Sequence, residues 1–324
     1  LVALAATTRG ADVASDWPQW RGPLATGVAP SADPPVEWGE DRPVRWKVEL
    51  PGTGHSTPSV HGDRIFLTTA IPLGDTLEHS SGDHAGGHDN VPVTHRQGFA
   101  VLALDREDGS VIWQRVVHEE VPAEGGHQTA SFASGSPTTD GERVFAFFGS
   151  HGLFALEMDG EVAWQVDLGQ MRSKHGHGEG SSPVLHGNHL VVNWDHEGES
   201  FLVALDKRSG EERWRVARDE VTSWATPIVV EVDGRAQLIV SGTERIRGHD
   251  LETGEEIWSS GGLSANIVAS PVSGHGLVFA GSSYDTRAMM AIRLAGAKGD
   301  LTGSDHVVWT RDRNTPYVPS PLLY

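Results

Sequence analysis

The chain contains no cysteine among its 324 residues. That excludes disulfide staples, cysteine-ligated zinc, iron–sulfur clusters and thiol catalysis. Basic residues are also scarce, with 25 Lys and Arg against 44 Asp and Glu and a formal net charge of −19. Such a balance disfavours nucleic acid or an anionic membrane surface as partner, and suits solubility, cations or basic partners. No apolar run approaches the roughly 18 residues of a membrane span. The opening LVALAATTRGADVASDW reads as a signal-peptide remnant over residues 1–15, with Leu1–Ala6 as its apolar end and Ala11–Ala14 as a small-residue cleavage zone. Export to the periplasm or the medium is therefore expected. Aromatics make up only 7% of the chain, yet 11 of them are Trp.

Five of those tryptophans recur at one position of a repeat. VLALDREDGSVIW (101–113) reads as an apolar strand, a tight polar turn and a second strand ending in Trp113. The unit returns as LFALEMDGEVAW, LVALDKRSGEERW and IRGHDLETGEEIW, ending at Trp164, Trp214 and Trp258, and a stretched copy closes at Trp309. Asp and Gly suit the turn because Asp bonds its own backbone and Gly accepts positive φ. A small residue followed by Pro and an apolar run precedes each copy, with prolines at 58, 137, 183, 227, 271 and 321. From Pro137 and Trp113 onward the spacing is roughly 44 to 51 residues, that of four-stranded propeller blades. The expectation is an all-β fold, a β-propeller, with one strand after each proline, two apolar strands and an outer strand carrying Trp. Five strand sets are complete and a sixth begins near Pro319. We therefore expect a C-terminally truncated chain, with seven or eight blades in the full protein. Residues 16–45, opening DWPQWRGP, should form a leader packed on the propeller of residues 46–324. PVRWKVELPG (43–52), with Trp46, resembles a last blade strand.

Loop lengths single out one face. From Trp to the next repeat proline takes 12 or 13 residues in four places, but 24 after Trp113 and 19 after Trp164. The first blade carries a further excess near residues 71–97. All three insertions emerge on one rim, and long loops on a rigid scaffold are where binding residues gather. Only the fifth-blade excess, 294–306, lies opposite. The rim insertions hold His79, His84, His88, His95 and His127, then SKHGHGEGSSP with His175, His177 and Glu179. Alternation in an extended segment would set His175, His177 and Glu179 on one side, a half-shell for a divalent metal, with Asp195 as a further ligand. His55, His127, His196 and Glu197 complete a candidate binding face. Trp113, Trp164, Trp214, Trp258 and Trp309 are expected to pack blade on blade, and His61, His186 and His275 are incidental turn residues.

The pattern AxDxxxGxxxW, as Ala103-Asp105-Gly109-Trp113 and Ala204-Asp206-Gly210-Trp214, resembles the tryptophan-docking motif of the pyrroloquinoline-quinone (PQQ) propeller superfamily. Asp250-Gly254-Trp258 keeps most of it, and Glu157-Gly160-Trp164 is one residue short. DWPQWRGP, KHGHGEGSSP and NWDHEG are similar to exported PQQ-like repeat proteins of planctomycete type. The superfamily includes quinoprotein dehydrogenases and non-enzymatic members such as the outer-membrane assembly lipoprotein BamB, so fold does not assign function. The dehydrogenases commonly set a vicinal cysteine pair against PQQ and bind calcium through a Glu and an Asn near a catalytic Asp. Cysteine is absent here and no position matches those ligands, so the resemblance implies the scaffold without PQQ and calcium. Nor is there a lipobox cysteine for a lipid anchor. The leading expectation is a non-catalytic, monomeric binding propeller that offers its loop-rich face and central funnel to a protein, peptide or carbohydrate. The alternatives are a metal-dependent enzyme or metal-binding protein, and a quinoprotein dehydrogenase.

Overall fold

The computed structural model describes residues 16–37, 39, 44–78 and 86–324. The signal-peptide reading of 1–15 and the histidines at 79 and 84 lie outside the described residues. Five four-stranded antiparallel meanders follow one another along the chain, each starting just after a Ser/Thr-Pro pair. Blade 1 runs Ser59–His61, Arg64–Leu73, Arg96–Asp105 and Val111–Glu120. Blade 2 runs Thr138–Thr139, Arg143–Phe147, Leu153–Glu157 and Val162–Val166. Blade 3 comprises Val184–His186, His189–Trp194, Phe201–Asp206 and Glu212–Ala217. In blade 4 the strands are Ile228–Val232, Arg235–Gly242, Arg245–Asp250 and Glu256–Gly261. Blade 5 has Val272–Gly274, Leu277–Ser282, Ala288–Arg293 and Val307–Arg311.

The cores lie between blades, and this explains the apolar runs of the middle strands. Alternate side chains of one strand point to opposite neighbours. Val144 and Ala146 pack with Phe66, Phe99 and Val101 of blade 1, whereas Phe145 and Phe147 pack with Leu190, Val192 and Trp194 of blade 3. Both faces of such a strand are therefore covered, and it carries no polar alternation. The outer strands bury one side only, so Val162–Val166 alternates between exposed and partly buried residues.

Two recurrent contacts explain the two sequence signatures. The Trp113, Trp164 and Trp214 indole N–H groups each donate to a carbonyl in the next blade's turn: Met158 at 2.9 Å, Lys207 at 3.0 Å and Leu251 at 2.9 Å. Each ring lies against the turn glycine, Gly160, Gly210 or Gly254, where a Cβ would meet ring carbons at about 2.8 Å or less. Glycine is thus required twice, for its positive φ and for the ring's approach. Along the inner strands, the hydroxyl before each of the five prolines from Pro137 onward accepts a backbone N–H from the preceding blade. Thr57 donates to Ser136 (2.9 Å), Ser136 to Ser182 (3.0 Å), Ser182 to Thr226 (3.0 Å), Thr226 to Ser270 (2.8 Å) and Ser270 to Ser320 (3.0 Å).

Three features depart from expectation. Residues 44–50 form no described strand, yet Trp46 Nε1 donates to the Arg106 carbonyl at 3.1 Å over Gly109, the contact made by the blade tryptophans. Trp258 is fully buried but bonds Gln237 Oε1 at 2.9 Å instead of a neighbouring turn. The lengthened turn of blade 5 returns instead to blade 4, where Gly299–Asp300 pairs in parallel with Trp258 and Ser259. Trp309 is 39% exposed and packs against Phe279 of its own blade. The leader crosses the face opposite the insertions: Trp17 bridges Val60, the Pro18 carbonyl accepts from Thr139 N–H at 2.8 Å, and Arg21 bonds the Pro321 carbonyl.

Candidate functional site: a rim pocket and a histidine cluster

The three rim insertions meet. Asn90–Val91 of the first pairs with Gly126–His127 of the second as a two-stranded ribbon. The third is stitched to both, because His127 N–H donates to the His177 carbonyl (3.2 Å) and the Asn90 amide to the His175 carbonyl (2.8 Å). Beneath this roof is a cavity of about 290 Å³. Its polar lining includes Glu124, Gln97, His127, Ser150, His151, Gln170 and Glu179, and Phe132, Phe147, Phe148 and Met171 supply an apolar wall.

Glu179 is the most perturbed group there. Its carboxylate accepts the Ser150 N–H at 2.7 Å and the Ser150 hydroxyl, and Ser150 Oγ in turn accepts Met171 N–H at 2.8 Å. Desolvation pushes the Glu179 carboxyl up to about 7; the Ser150 bonds oppose this, while the charges of Glu124 and Glu120 add to it. Gly149 makes the fit possible, since a Cβ at its φ of 59° would fall on the Glu179 carboxylate. Glu124 is held by Ser173 through N–H (3.1 Å) and hydroxyl (3.0 Å). At the cavity margin, His151 Nδ1 lies 3.0 Å from Glu120 Oε2, and the same oxygen is 3.2 Å from His118 Nε2. Burial lowers the His151 pKa against the pull of Glu120, and the ring stacks on Phe99 at 4.1 Å.

The residues singled out in the sequence divide among different places. His175, His177 and Glu179 do not share one side of an extended segment. A short 3-10 turn over Lys174–Gly176, with His175 at φ 58°, breaks the alternation. His177 instead packs beside His88 and His127, with ring centroids 4.9 and 5.2 Å away, and His175 lies 5.4 Å from His177. Glu179 turns inward to Ser150. Asp195 is not with either group: it forms a buried two-bonded pair with Arg218 (2.8 and 3.1 Å) and accepts the Ser223 hydroxyl at 2.7 Å. His196 and Glu197 fix the loop, His196 through Arg172 N–H (3.1 Å) and Glu197 through Thr222 N–H (3.2 Å) and Oγ1 (2.9 Å). His55 is exposed, and its backbone N–H bonds Ala133 O and Ser131 Oγ. Sequence reasoning missed Ser150 and His151, which sit in a turn of ordinary length, Glu120, at a strand end, and Glu124, which lies in the second insertion but has no histidine motif beside it to mark it.

A family model described as outer membrane protein assembly factor BamB, of PQQ-type repeats, matches residues 97–322, well over half of the chain. The chain belongs to this PQQ-repeat propeller family. No curated protein sequence matches it significantly. Among solved structures, BamB from Moraxella catarrhalis is similar at 20% identity and TM-score 0.47, over 71% of this chain and 62% of that one. A quinohemoprotein alcohol dehydrogenase from Pseudomonas putida is similar at 12% identity and TM-score 0.48, over 93% and 48%. A europium-containing methanol dehydrogenase is similar at 10% identity and TM-score 0.47, over 80% and 51%. The chain thus spans less than two-thirds of the length of each of these three. The described residues contain no helix long and apolar enough to cross a membrane.

Proposed function

We propose that this chain is an exported, non-catalytic binding propeller whose rim pocket receives a lysine or arginine side chain of a protein partner. The observation carrying this reading is the pocket's one-sided chemistry. Glu124 and Glu179 line it, no Lys or Arg among the described residues does, and Phe132, Phe147, Phe148 and Met171 form its apolar wall. A basic side chain has an aliphatic stem for such a wall and a cationic head for the carboxylates. The net charge of −19 would draw basic partners toward it. Export rests on the apolar, small-residue opening of the sequence and on the family's description.

A bound cation stabilises the charged form of Glu179, so affinity should rise as pH passes through about 7. The test is calorimetric titration of the untagged protein with hexapeptides carrying central Lys, Arg or Ala, at pH 6 and pH 8. Lys and Arg peptides should bind more tightly at pH 8, Ala peptides should not bind, and Glu179→Gln should remove the pH dependence. Equal binding of the Ala peptides would sink the proposal. Binding of a neutral oligosaccharide in their place would transfer the pocket to a carbohydrate ligand.

A further inference from the structure

The rim carries a second cluster, above the pocket and independent of the reading just given. His88, Asp89 and His127 each offer a ligand atom, and the three atoms lie within 4.8 Å of one another. His88 and Asp89 are adjacent in the first insertion, whereas His127 comes from the second. They meet because Asn90 faces His127 in the ribbon and because Gln128 N–H donates to the Asp89 carbonyl at 2.8 Å. His177, from the third insertion, borders both imidazoles.

From this geometry we infer a binding site for a borderline divalent transition ion, zinc(II) or copper(II), with His88, Asp89 and His127 as ligands. The donor set decides the class. Two imidazoles and one carboxylate suit zinc or copper, whereas calcium and magnesium require shells built of oxygen. The backbone is already placed. Side-chain closure remains, because two ligands of one tetrahedral ion with bonds near 2.0–2.1 Å stand roughly 3.3 Å apart. His88 and Asp89 have side chains 66% and 61% exposed, so rotamer changes can supply that closure without moving the core. The His127 ring is oriented through Nδ1, which lies 2.7 Å from Thr129 Oγ1 and accepts the Thr129 N–H at 3.3 Å; an ion on Nε2 would move the ring proton to Nδ1, which then donates to Thr129 Oγ1 in place of that longer bond. His88 Nδ1 lies 3.3 Å from Asp89 Oδ2, a contact that a cation between them would replace. The ion would sit at the pocket mouth, since His127 lines both features.

The test uses the untagged chain, stripped with chelator and titrated separately with zinc, copper and calcium. About one equivalent of zinc or copper should bind, and calcium should not. The copper(II) form should show nitrogen hyperfine structure in its electron paramagnetic resonance spectrum. A His88→Ala/His127→Ala variant should lose this binding by 100-fold or more on the order of metal-ligand removal, and Asp89→Asn should weaken it about tenfold. His186→Ala, on the opposite face, should bind as the wild type does. Circular dichroism of the metal-free proteins should coincide, which separates a lost site from a lost fold. Absence of zinc and copper binding in the wild type, retention by the double variant, or a preference for calcium would each overturn the assignment. The peptide titrations in chelator keep this result distinct from the pocket's.

Discussion

Glu179 and His249 are buried groups whose titrations oppose each other. Burial, with the Glu120 and Glu124 charges, raises the Glu179 carboxyl from 4.5 to about 7. The folded chain therefore binds the extra proton between those values, and the group's contribution is fully present below pH 4.5 and lost as pH rises through 7. His249, whose Nδ1 lies 3.0 Å from the Gly254 carbonyl, is lowered from 6.5 to about 4 by burial and by Arg218. Its contribution is present above pH 6.5 and is lost as pH falls toward 4. Each spans on the order of 3 kcal/mol at full effect. Between pH 4.5 and 6.5 the two slopes offset. Glu179→Gln should uncover stability that rises with pH, and His249→Gln stability that falls, both read by urea unfolding at half-unit intervals. Two variants with curves parallel to the wild type would refute the pairing. The sequence marked Glu179 for its neighbours at 175 and 177. What sets its chemistry is Gly149-Ser150, in a turn with no excess length to draw attention.

At the scale of the element, the Ser/Thr-Pro pair works as a joint. Proline starts each inner strand, where no ladder donor is needed, and the hydroxyl before it takes the previous blade's N–H. Ser182→Ala should orphan the Ser136 N–H, which is buried, at a cost of about 1–3 kcal/mol. Ser182→Thr should cost less than half of that, because Thr226 already fills the equivalent place; thermal unfolding decides between them. Gly210→Ala should also destabilise by about 1–3 kcal/mol, since its φ is 75° and a Cβ would press on the Trp164 ring. Both devices were legible as repeated letters, because a contact made once per blade leaves a period in the sequence. The rim was legible only in part. Insertion lengths pointed to its face, but the 3-10 turn at Lys174–Gly176 is held by contacts with residues far earlier in the chain, such as Asn90, 85 positions before His175. Alternation over a few residues carries no record of such contacts.

Over the whole molecule, stability should follow nearest neighbours, because every described core joins two successive blades. The 299–302 segment adds a further link between blades 4 and 5: Leu301 N–H donates to the Ser259 carbonyl at 2.8 Å, and Gly261 N–H to Thr302 Oγ1 at 2.9 Å. Hydrogen exchange should therefore show blades 4 and 5 opening together. Replacing residues 296–303 by a short glycine turn should let the amides of Glu256–Gly261 exchange ahead of the rest of blade 4; unchanged protection there would count against the link. The same strap changes what can be inherited. Repeat arrays grow and shrink by copying single units, and four of these blades end in an outer strand that belongs to its own unit alone. The fourth borrows its last strand from the fifth. A recombination breakpoint between Trp258 and Pro271 would separate lender from borrower, leaving one sheet with an open edge and one loop with nothing to hold. For this chain, the smallest piece that can be duplicated intact across that boundary is two blades long.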